Sequence, residues 1–338
     1  MIKENNFQIV VSVIVPIFNT ERDHLEACLL PFQKEKDSRI EVILVDDGSN
    51  ESTAQLIDSI SERLQVYTRV VHQANGGQNA ARNTGIRLAH GKYIAFVDSD
   101  DELNWQSFMT LVDQAETCDA DVIAFSCMKL RPNGDIISKY GFSDIDENEQ
   151  NKKNLLARCG ELWLQWIKRS YLLDSPPFPT DLRIGEDLEA VFPLLANVRS
   201  FAVNPSYVYF YIDRQVSVSK NSSSLEHLDI IKAFQRIIDN PRSHFGSYRN
   251  ELEWQAIRHV AWEIMSVLMM GQCGFDAARR LRDWFVSVFP NWERNAYYQE
   301  LSVQDRLITF LIFHGYFKIY LFLRKVSSLL KKNNSNKG

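Results

Sequence analysis

The chain has 338 residues, a net charge of -5 and a hydrophobic content of 45%. These values are typical of a globular protein with one large domain and an additional segment. The negative net charge argues against general nucleic-acid binding, which requires a basic surface that neutralises phosphates.

The cysteines and the first residues both favour a cytoplasmic protein. The five cysteines are scattered and include no Cys-x-x-Cys pair, which argues against a disulfide framework or a zinc site. The first eight residues carry charges and amides where a signal peptide requires an apolar stretch. We therefore expect reduced thiols and no export.

The first 125 residues alternate between short apolar runs and segments with helical spacing. Runs rich in Val and Ile predict five buried strands, at residues 11–15, 41–45, 67–71, 93–97 and 121–125. Apolar residues at helical spacing predict helices between these strands, at residues 22–32, 52–64, 78–89 and 105–117. This alternation predicts a doubly wound α/β sheet, in which ligands bind at the carboxyl ends of the strands.

Three carboxylates follow the fourth predicted strand, in the run Asp98-Ser99-Asp100-Asp101. Capping of the next helix would explain one acid, but not three. Asp-x-Asp at the end of a strand favours a hard divalent cation that joins the protein to substrate phosphates. No Gly-x-Gly-x-x-Gly or Walker-type sequence follows any predicted strand, which argues against a dinucleotide oxidoreductase or a P-loop enzyme.

The pattern changes after the fifth predicted strand. Residues 131–134 predict a hairpin turn, and the polar segment 143–153 predicts a mobile loop. Helical spacing predicts a helix over residues 155–169 and a second one from Gly185-Glu186-Asp187 to residue 195. From about residue 225 onward the pattern is helical.

Five motifs in a fixed order make the chain similar to the family 2 glycosyltransferases over residues 11–220. They are Val-Ser-Val-Ile-Val-Pro-x-x-Asn, Asp-Asp-Gly-Ser, Asn-Gly-Gly with Ala-Arg-Asn-x-Gly, Asp-Ser-Asp-Asp, and Gly-Glu-Asp. The resemblance implies the GT-A fold, a mixed doubly wound sheet of the nucleotide-diphospho-sugar transferases, and transfer with inversion at the anomeric carbon. We expect a catalytic domain at 1–220, with a nucleotide-sugar half at 9–126 and an acceptor half at 127–220, and a helical C-terminal extension at 221–338.

The resemblance also implies where the nucleotide of the donor binds. Pro16 and Asn19 would shape the nucleotide pocket, and one carboxylate of Asp46 and Asp47 would accept a hydrogen bond from uracil. The donor would then be a UDP-sugar. Local chemistry alone favours a different role for these two acids, helix capping with Gly48 as the turn residue.

Further residues of the donor site come from the next two motifs. Asn75 and Gly76 would bring backbone close to the donor, and Arg82 would support the diphosphate and metal site. We expect Asn83 and Gly85 to be structural. In the acidic run, the resemblance makes Asp98 a contact to ribose and the metal site, with Ser99 beside it, and Asp100 the ligand of Mn2+ or Mg2+. Asp101 is expected to be a helix cap.

The Gly-Glu-Asp motif implies the catalytic base. Asp187 would deprotonate the acceptor hydroxyl, and Glu186 would be its neighbour or an acceptor contact; helix capping is the alternative role for both. Arg214 begins an Arg-x-x-Ser-x-Ser element and would fold over the diphosphate, although a surface role is also consistent with the sequence. Residues 163–169 match the family's acceptor-side helix only loosely, so the acceptor stays open.

The C-terminal segment is apolar and basic. Residues 306–338 contain seven Lys or Arg and no acid, and the apolar run 307–323 is shorter than a spanning helix. We expect either an interfacial helix at the inner face of the plasma membrane or a core helix. The first case would favour a polyprenyl-linked saccharide as acceptor.

The sequence as a whole predicts a metal-dependent transferase that moves a sugar from a UDP-sugar to a saccharide hydroxyl in surface polysaccharide synthesis. Two alternatives stay open. A nucleotidyltransferase shares the nucleotide, the metal and the sheet, but usually has a Gly-rich basic loop after its first strand. A catalytically inactive saccharide-binding or scaffold subunit would retain the same acids without turnover.

Overall fold

The computed structural model describes residues 9–143, 151–175, 177–214, 225–270 and 274–335. The chain forms two compact units, Met1–Gln215 and Val216–Gly338. The first contains the sheet, and the second is helical in its described residues.

The first four predicted strands and the four predicted helices are confirmed. The strands are β1 (Val11–Ile17), β2 (Ile40–Asp46), β3 (Tyr67–His72) and β4 (Tyr93–Phe96). They alternate with the helices α1 (Arg22–Lys34), α2 (Glu51–Ser61), α3 (Gln78–Leu88) and α4 (Trp105–Thr117). Every residue of β1, β2 and β4 is buried, whereas β3 is partly exposed. Continuous Val- and Ile-rich runs produce this pattern because both faces of a central parallel strand are covered.

Five further strands complete a mixed sheet. They are β5 (Glu102–Leu103), β6 (Val122–Leu130), β7 (Ile136–Tyr140), β8 (Gln165–Lys168) and β9 (Phe201–Ile212). The order is β3-β2-β1-β4-β8-β6-β9-β5, with β7 paired to β6. Strands β1 to β4 are parallel, and β8 is antiparallel to both β4 and β6. The predicted mixed α/β sheet is therefore confirmed, as is the hairpin turn, which joins β6 to β7.

The predicted helix over residues 155–169 is wrong. The structure has a helix α5 (Lys152–Arg158), a short 3-10 turn and then β8, followed by α6 (Arg169–Leu173). Cys159 and Gly160 interrupt the helical pattern, and residues 165–168 then pair with strands on both sides. Tertiary pairing of this kind overrides local helical propensity. The predicted loop at 143–153 lies mostly outside the described residues.

Helix α3 packs closely against β1, with Gly85 next to the side chain of Ile14. A Cβ added to Gly85 would lie 2.4 Å from Cγ2 of Ile14, closer than any tolerable contact. Gly85 therefore allows the helix to approach the sheet and sets the position of its first turns, where Arg82 is found. Its predicted structural role agrees with this packing.

The helix predicted from Gly185 is confirmed as α7 (Glu186–Ala196). The second unit contains α8 (Asp229–Asp239), α9 (Arg249–Ile257), α10 (Met265–Met270), α11 (Gly274–Val288), α12 (Ala296–Gln299), α13 (Val303–Phe313) and α14 (Phe317–Ser335). Aromatic side chains form part of its core, where the rings of Phe285 and Phe313 stack with centroids 3.8 Å apart. Among the described residues, no helix combines the length and apolar composition that crossing a bilayer requires.

Candidate active site

The ends of β1 and β2 are joined by hydrogen bonds between their following loops. Asn19, which has a φ of 50°, accepts hydrogen bonds from the backbone and side-chain amides of Asn50, both at 2.8 Å. Its backbone N–H donates to Ser49 at 3.0 Å. Pro16 lies inside β1, is buried and pairs with Val45. Pro16 therefore shapes this edge through the strand, whereas Asn19 holds the two loops together.

Asp46 is buried and forms a hydrogen-bonded pair with His72. Its carboxylate accepts from the backbone of Ser49 at 2.9 Å and lies 2.7 Å from Nδ1 of His72. Burial opposes ionisation, but these hydrogen bonds prevail and hold the pKa of Asp46 below its ordinary value. The same contact, together with Asp58, raises the pKa of His72. Asp46 is thus an ionised, buried side chain at the end of β2.

Asp47 organises the loop that contains Asn75 and Gly76. Its carboxylate accepts from the backbone N–H groups of Gly76 at 2.9 Å and Gly77 at 2.8 Å, and from the side chain of Gln73 at 2.7 Å. Asn75 donates to the Asp47 carbonyl at 2.8 Å. Asp47 therefore fixes the backbone shape of the Asn-Gly-Gly motif.

The capping role that local chemistry favoured for Asp46 and Asp47 is wrong. Asn50 caps α2, accepting from the backbone of Thr53 at 2.9 Å. Gly48 does act as a turn residue, with a φ of 76°, and a Cβ there would lie 2.7 Å from the Asn75 backbone nitrogen. The two strand-end loops therefore contact each other directly.

Arg82 joins the two acidic motifs of the site. Its side chain is fully buried and donates to Asp187 at 2.5 Å and to Asp98 at 3.1 Å. It also donates to Asn79 at 3.0 Å, while Gln78 donates to the same Asp98 oxygen at 2.7 Å. Because Asp98 follows β4 and Asp187 begins α7, one buried cation links the sheet edge to the start of that helix.

Burial and mutual repulsion raise the pKa values of two acids around Arg82. Burial raises the pKa of Asp98 to about 6, an effect that Arg82 opposes and that Asp187 and Asp100 reinforce. Burial and the adjacent Asp187 raise the pKa of Glu186 to about 8, again against the effect of Arg82. Perturbed acids grouped around one buried arginine are typical of functional sites.

Asp101 is an anchor for β9, and its predicted capping role is wrong. Its buried carboxylate accepts from the Tyr209 hydroxyl and from the backbone of Ile212, both at 2.8 Å. Asn104 caps α4 instead, accepting from the backbone of Ser107 at 3.3 Å. The Tyr209 hydroxyl also accepts from the backbone N–H of Asp98 at 3.1 Å. Asp101 therefore connects the acidic loop to β9.

Ser99 and Asp100 complete the acidic loop. The hydroxyl of Ser99 lies 2.6 Å from that of Thr20, which connects the loop to the end of β1. Among the described residues, the Asp100 carboxylate has no hydrogen-bond or ion-pair partner, and it adds to the negative field around Asp98 and Asp101. Asp100 is thus available to a ligand.

These residues fit a hard divalent cation that is shared with a substrate. Asp100 and the second oxygen of Asp98 are carboxylate donors, the type that Mn2+ and Mg2+ bind. No group of three or more His, Cys, Asp or Glu side chains suited to a metal occurs among the described residues. A cation here would therefore complete its coordination with diphosphate oxygens and water, as Mg2+ commonly does.

Arg214 lies at the end of β9, where its backbone N–H donates to the Ile212 carbonyl at 2.9 Å. Residues 215–219 of its Arg-x-x-Ser-x-Ser element lie outside the described residues. The buried strand β8 replaces the acceptor-side helix expected at residues 163–169: Trp166 is 2% exposed and belongs to the core.

The sequence interpretation missed several residues that organise the site. Gln78, Asn79 and Tyr209 contact the acids or Arg82, and Gln73 and His72 contact the Asp46-Asp47 pair. Gln78 and Asn79 follow the Asn-Gly-Gly motif directly, so their position at the start of a helix at the sheet edge was a usable signal. Nothing in the local sequence marks Tyr209 as the partner of Asp101.

Comparisons with known proteins identify the same family as the motifs. Residues 12–172 match the sequence model described as Glycosyl transferase family 2. The uncharacterized glycosyltransferase EpsJ of Bacillus subtilis is 41% identical over 113 residues, which are 33% of this chain and 32% of EpsJ. The poly(ribitol-phosphate) beta-glucosyltransferase of Bacillus spizizenii is 25% identical over 206 residues, which are 60% of this chain and 32% of that protein. The aligned segments thus span about a third of the length of these relatives.

Solved structures with the same fold align along most of the chain. Residues 1–349 of S. aureus TarS, in complex with UDP, superpose with a TM-score of 0.63 at 18% identity, covering 94% of this chain and 91% of that one. The mannosyltransferase PcManGT from Pyrobaculum calidifontis, in complex with GDP-Man and Mn2+, gives a TM-score of 0.55 at 17% identity, covering 97% and 89%. The GT-A-like sheet with a helical C-terminal region is therefore confirmed, and residues 12–172 are similar to glycosyl transferase family 2.

Proposed function

We propose that the chain is a metal-dependent, inverting glycosyltransferase that moves a sugar from a UDP-sugar to a saccharide hydroxyl. The observation that supports this proposal best is the buried Arg82, which contacts both Asp98 and Asp187. The two acids come from motifs 89 positions apart in the printed sequence, and the family resemblance gives them donor-side and acceptor-side roles. Their common partner supports a single site in which both substrates meet.

The nucleotide would bind along the ends of β1, β2 and β4. Asp46 and Asp47 lie at the end of β2, and each has a carboxylate that can only accept hydrogen bonds. The backbone of Asn75 and Gly76 lies beside them. A carboxylate that accepts from a ring N–H favours uracil. Because Asp47 already accepts three hydrogen bonds from its own loop, Asp46 is our preferred contact to the base.

The acidic loop would hold the diphosphate end of the donor. Asp98 and Asp100 would ligate Mn2+ or Mg2+, and Ser99 would fix the loop through Thr20. A bound cation would neutralise the negative charge that grows on the diphosphate as UDP leaves. Gln78 and Arg82 hold one oxygen of Asp98, which orients the other one toward a ligand. Arg214 would add a positive charge over the diphosphate.

Asp187 would act as the base. One of its oxygens is held by Arg82, so the carboxylate has a fixed direction and the second oxygen can accept the proton of the acceptor hydroxyl. The hydroxyl oxygen then bonds to the anomeric carbon on the face opposite UDP, whose bond to that carbon breaks. Glu186, with its raised pKa, would be protonated near neutral pH and could donate a hydrogen bond to the acceptor.

Surface polysaccharide synthesis is the biological role that we propose. Relatives include the poly(ribitol-phosphate) beta-glucosyltransferase and the minor teichoic acid biosynthesis protein GgaB of Bacillus subtilis, which is 23% identical over 274 residues. The names of these two relatives refer to a polymer, poly(ribitol-phosphate) or teichoic acid. A saccharide, and specifically a polyprenyl-linked one, is the acceptor class that we propose.

Calorimetric titration tests the proposal most directly. UDP, GDP and CDP are titrated into the full chain with Mn2+, with Mg2+ and with EDTA, and UDP-sugar hydrolysis is then measured without an acceptor. We expect metal-dependent binding of UDP in preference to the other two nucleotides, and slow hydrolysis. Absence of nucleotide binding would overturn the proposal and favour a scaffold role, whereas tight GDP binding would contradict only the choice of uracil.

A further inference from the structure

Helix α14 is apolar on two of its sides. One side faces the second unit, where Phe317 and Tyr320 are 4% and 8% exposed and the ring of Phe317 stacks on that of Phe275 with centroids 5.8 Å apart. Two buried aromatic side chains one turn apart fix the helix on its unit. A second group of apolar side chains on the same helix has no such cover.

The second apolar side forms a continuous stripe. It consists of residues at spacings of i, i+3, i+4 and i+7, namely Ile319, Phe322, Leu323 and Val326. Their exposed fractions are 49%, 65%, 41% and 37%. Residues at this spacing lie on one face of an α-helix. This face is therefore an exposed apolar surface, unlike the single exposed side chains that are normal elsewhere.

The preceding turn extends this stripe. Tyr316 is 50% exposed and Phe310 of α13 is 38% exposed, with their ring centroids 6.4 Å apart. We call the six residues Phe310, Tyr316, Ile319, Phe322, Leu323 and Val326 the C-terminal apolar surface.

Charge distinguishes between the partners that could cover this surface. Residues 306–338 contain seven Lys or Arg and no acid, although the chain as a whole has a net charge of -5. On α14, Lys318 and Lys325 are exposed, and their helical positions lie next to one another along one edge of the apolar stripe. A second copy that used the same surface would bring two acid-free basic segments together, which is unfavourable. An anionic partner is complementary.

We propose that the C-terminal apolar surface docks on an anionic phospholipid membrane, with α14 lying in the interface. Ile319, Phe322, Leu323 and Val326 would enter the boundary between headgroups and acyl chains, and Lys318 and Lys325 would face the anionic headgroups. A helix with one apolar face flanked by long basic side chains is suited to this position. The inference does not depend on the sugar transfer, because it rests on the second unit alone.

Vesicle sedimentation of the full chain tests the proposal. The parent protein is mixed with vesicles of phosphatidylcholine, or of phosphatidylcholine with phosphatidylglycerol, and the bound fraction is measured at low and high salt. We expect binding to the mixed vesicles that weakens as salt rises, since exposed charges are screened. Absence of binding to the mixed vesicles, or binding that salt does not affect, would overturn the proposal.

Two variants and one matched control locate the contact. Ile319→Ser with Phe322→Ser should weaken binding about tenfold or more, since two half-exposed apolar side chains are lost from the membrane. Lys318→Gln with Lys325→Gln should weaken binding to the mixed vesicles selectively, because both exposed lysines border the stripe. The matched control is Tyr67→Ser with Ile136→Ser, which removes side chains of similar exposure, 53% and 52%, from the first unit. This control should leave vesicle binding unchanged.

Equal losses from the serine pair on α14 and from the control pair would overturn the proposal. Sedimentation velocity of the parent and of the α14 variants measures the oligomeric state, and so tests whether a second copy of the chain covers this surface instead. A parent dimer that becomes monomeric in Ile319→Ser with Phe322→Ser, and that does not bind vesicles, would assign the surface to a second copy and overturn membrane docking. A parent that is monomeric and binds mixed vesicles supports it.

Discussion

Arg82 and Asp187 form a buried ion pair across 105 positions of sequence, with a nitrogen-to-oxygen distance of 2.5 Å. The Arg82 side chain is inaccessible to solvent, whereas the Asp187 side chain is 21% exposed. A buried cation is tolerated only when it is paired. The pair therefore fixes the start of α7 to α3 and leaves part of the Asp187 carboxylate open to the site.

Replacement of Arg82 tests this connection. Arg82→Met leaves Asp98 and Asp187 without their common partner, so we expect the free energy of unfolding to fall by about 3–5 kcal/mol. Urea denaturation measures the change. Arg82→Lys keeps the charge but lacks the planar fork that contacts two acids at once, so it should recover part of the stability. If both variants were as stable as the parent, the pair would be a surface-like contact of little consequence.

Asp187→Asn should abolish sugar transfer and leave UDP affinity nearly unchanged. Asparagine keeps the shape of the side chain but cannot take a proton from the acceptor hydroxyl. Calorimetry measures UDP binding, and product formation with a saccharide acceptor measures transfer. Glu189→Gln, in the same helical turn, controls for a general loss of negative charge at the start of α7. Substantial transfer by Asp187→Asn would exclude Asp187 as the base.

The strands whose carboxyl ends carry the candidate site were predictable because their signal is local. Each of β1, β2 and β4 is a mainly apolar run followed by turn residues, because burial on both faces demands that composition. The partly exposed β3 is less uniformly apolar. Strand β8 was not predictable in this way. Its four residues follow Cys159 and Gly160, where the helical pattern of α5 ends, and pairing with the two flanking strands, β4 and β6, selects the extended form.

In the candidate site, too, the local motifs were predictable and the long-range contacts were not. The family motifs name Asp98, Asp100 and Asp187, but they contain no information on which groups pair. The contact between Arg82 and Asp187, and that between Asp101 and Tyr209, join segments about a hundred residues apart. Such partners follow from the strand order and helix placement, so a single sequence can supply the acids of this site and not their hydrogen bonds.

Asp100 and Asp101 are adjacent acids for which we predict opposite consequences. Asp100→Asn should remove the stimulation of UDP binding by Mn2+ and leave the free energy of unfolding nearly unchanged, because Asp100 has no hydrogen-bond partner among the described residues. Asp101→Ala should instead lower that free energy by about 1–3 kcal/mol, since the Tyr209 hydroxyl and the Ile212 N–H lose their acceptor. Titrations with and without Mn2+, and urea denaturation, measure the two effects. Metal stimulation that persists in Asp100→Asn would mean that the cation binds elsewhere.

Glu186 should make the stability of the protein depend on pH. Burial and Asp187 raise its folded-state pKa from 4.5 to about 8, so between these values the folded chain keeps a proton that the unfolded chain releases. The free energy of unfolding therefore falls as pH rises through this window. Glu186→Gln cannot ionise and avoids this loss.

The variant Glu186→Gln should match the parent below pH 4.5, where both side chains are neutral, and exceed it at pH 8 by at least about 1 kcal/mol. Thermal and urea unfolding across this range measure the difference. Glu51→Gln, an exposed acid in the first turn of α2, is the matched control and should show no such gain at high pH. A difference between Glu186→Gln and the parent that is the same at every pH would show that folding does not raise the pKa of Glu186, which would contradict a Glu186 that is protonated near neutral pH and donates a hydrogen bond to the acceptor.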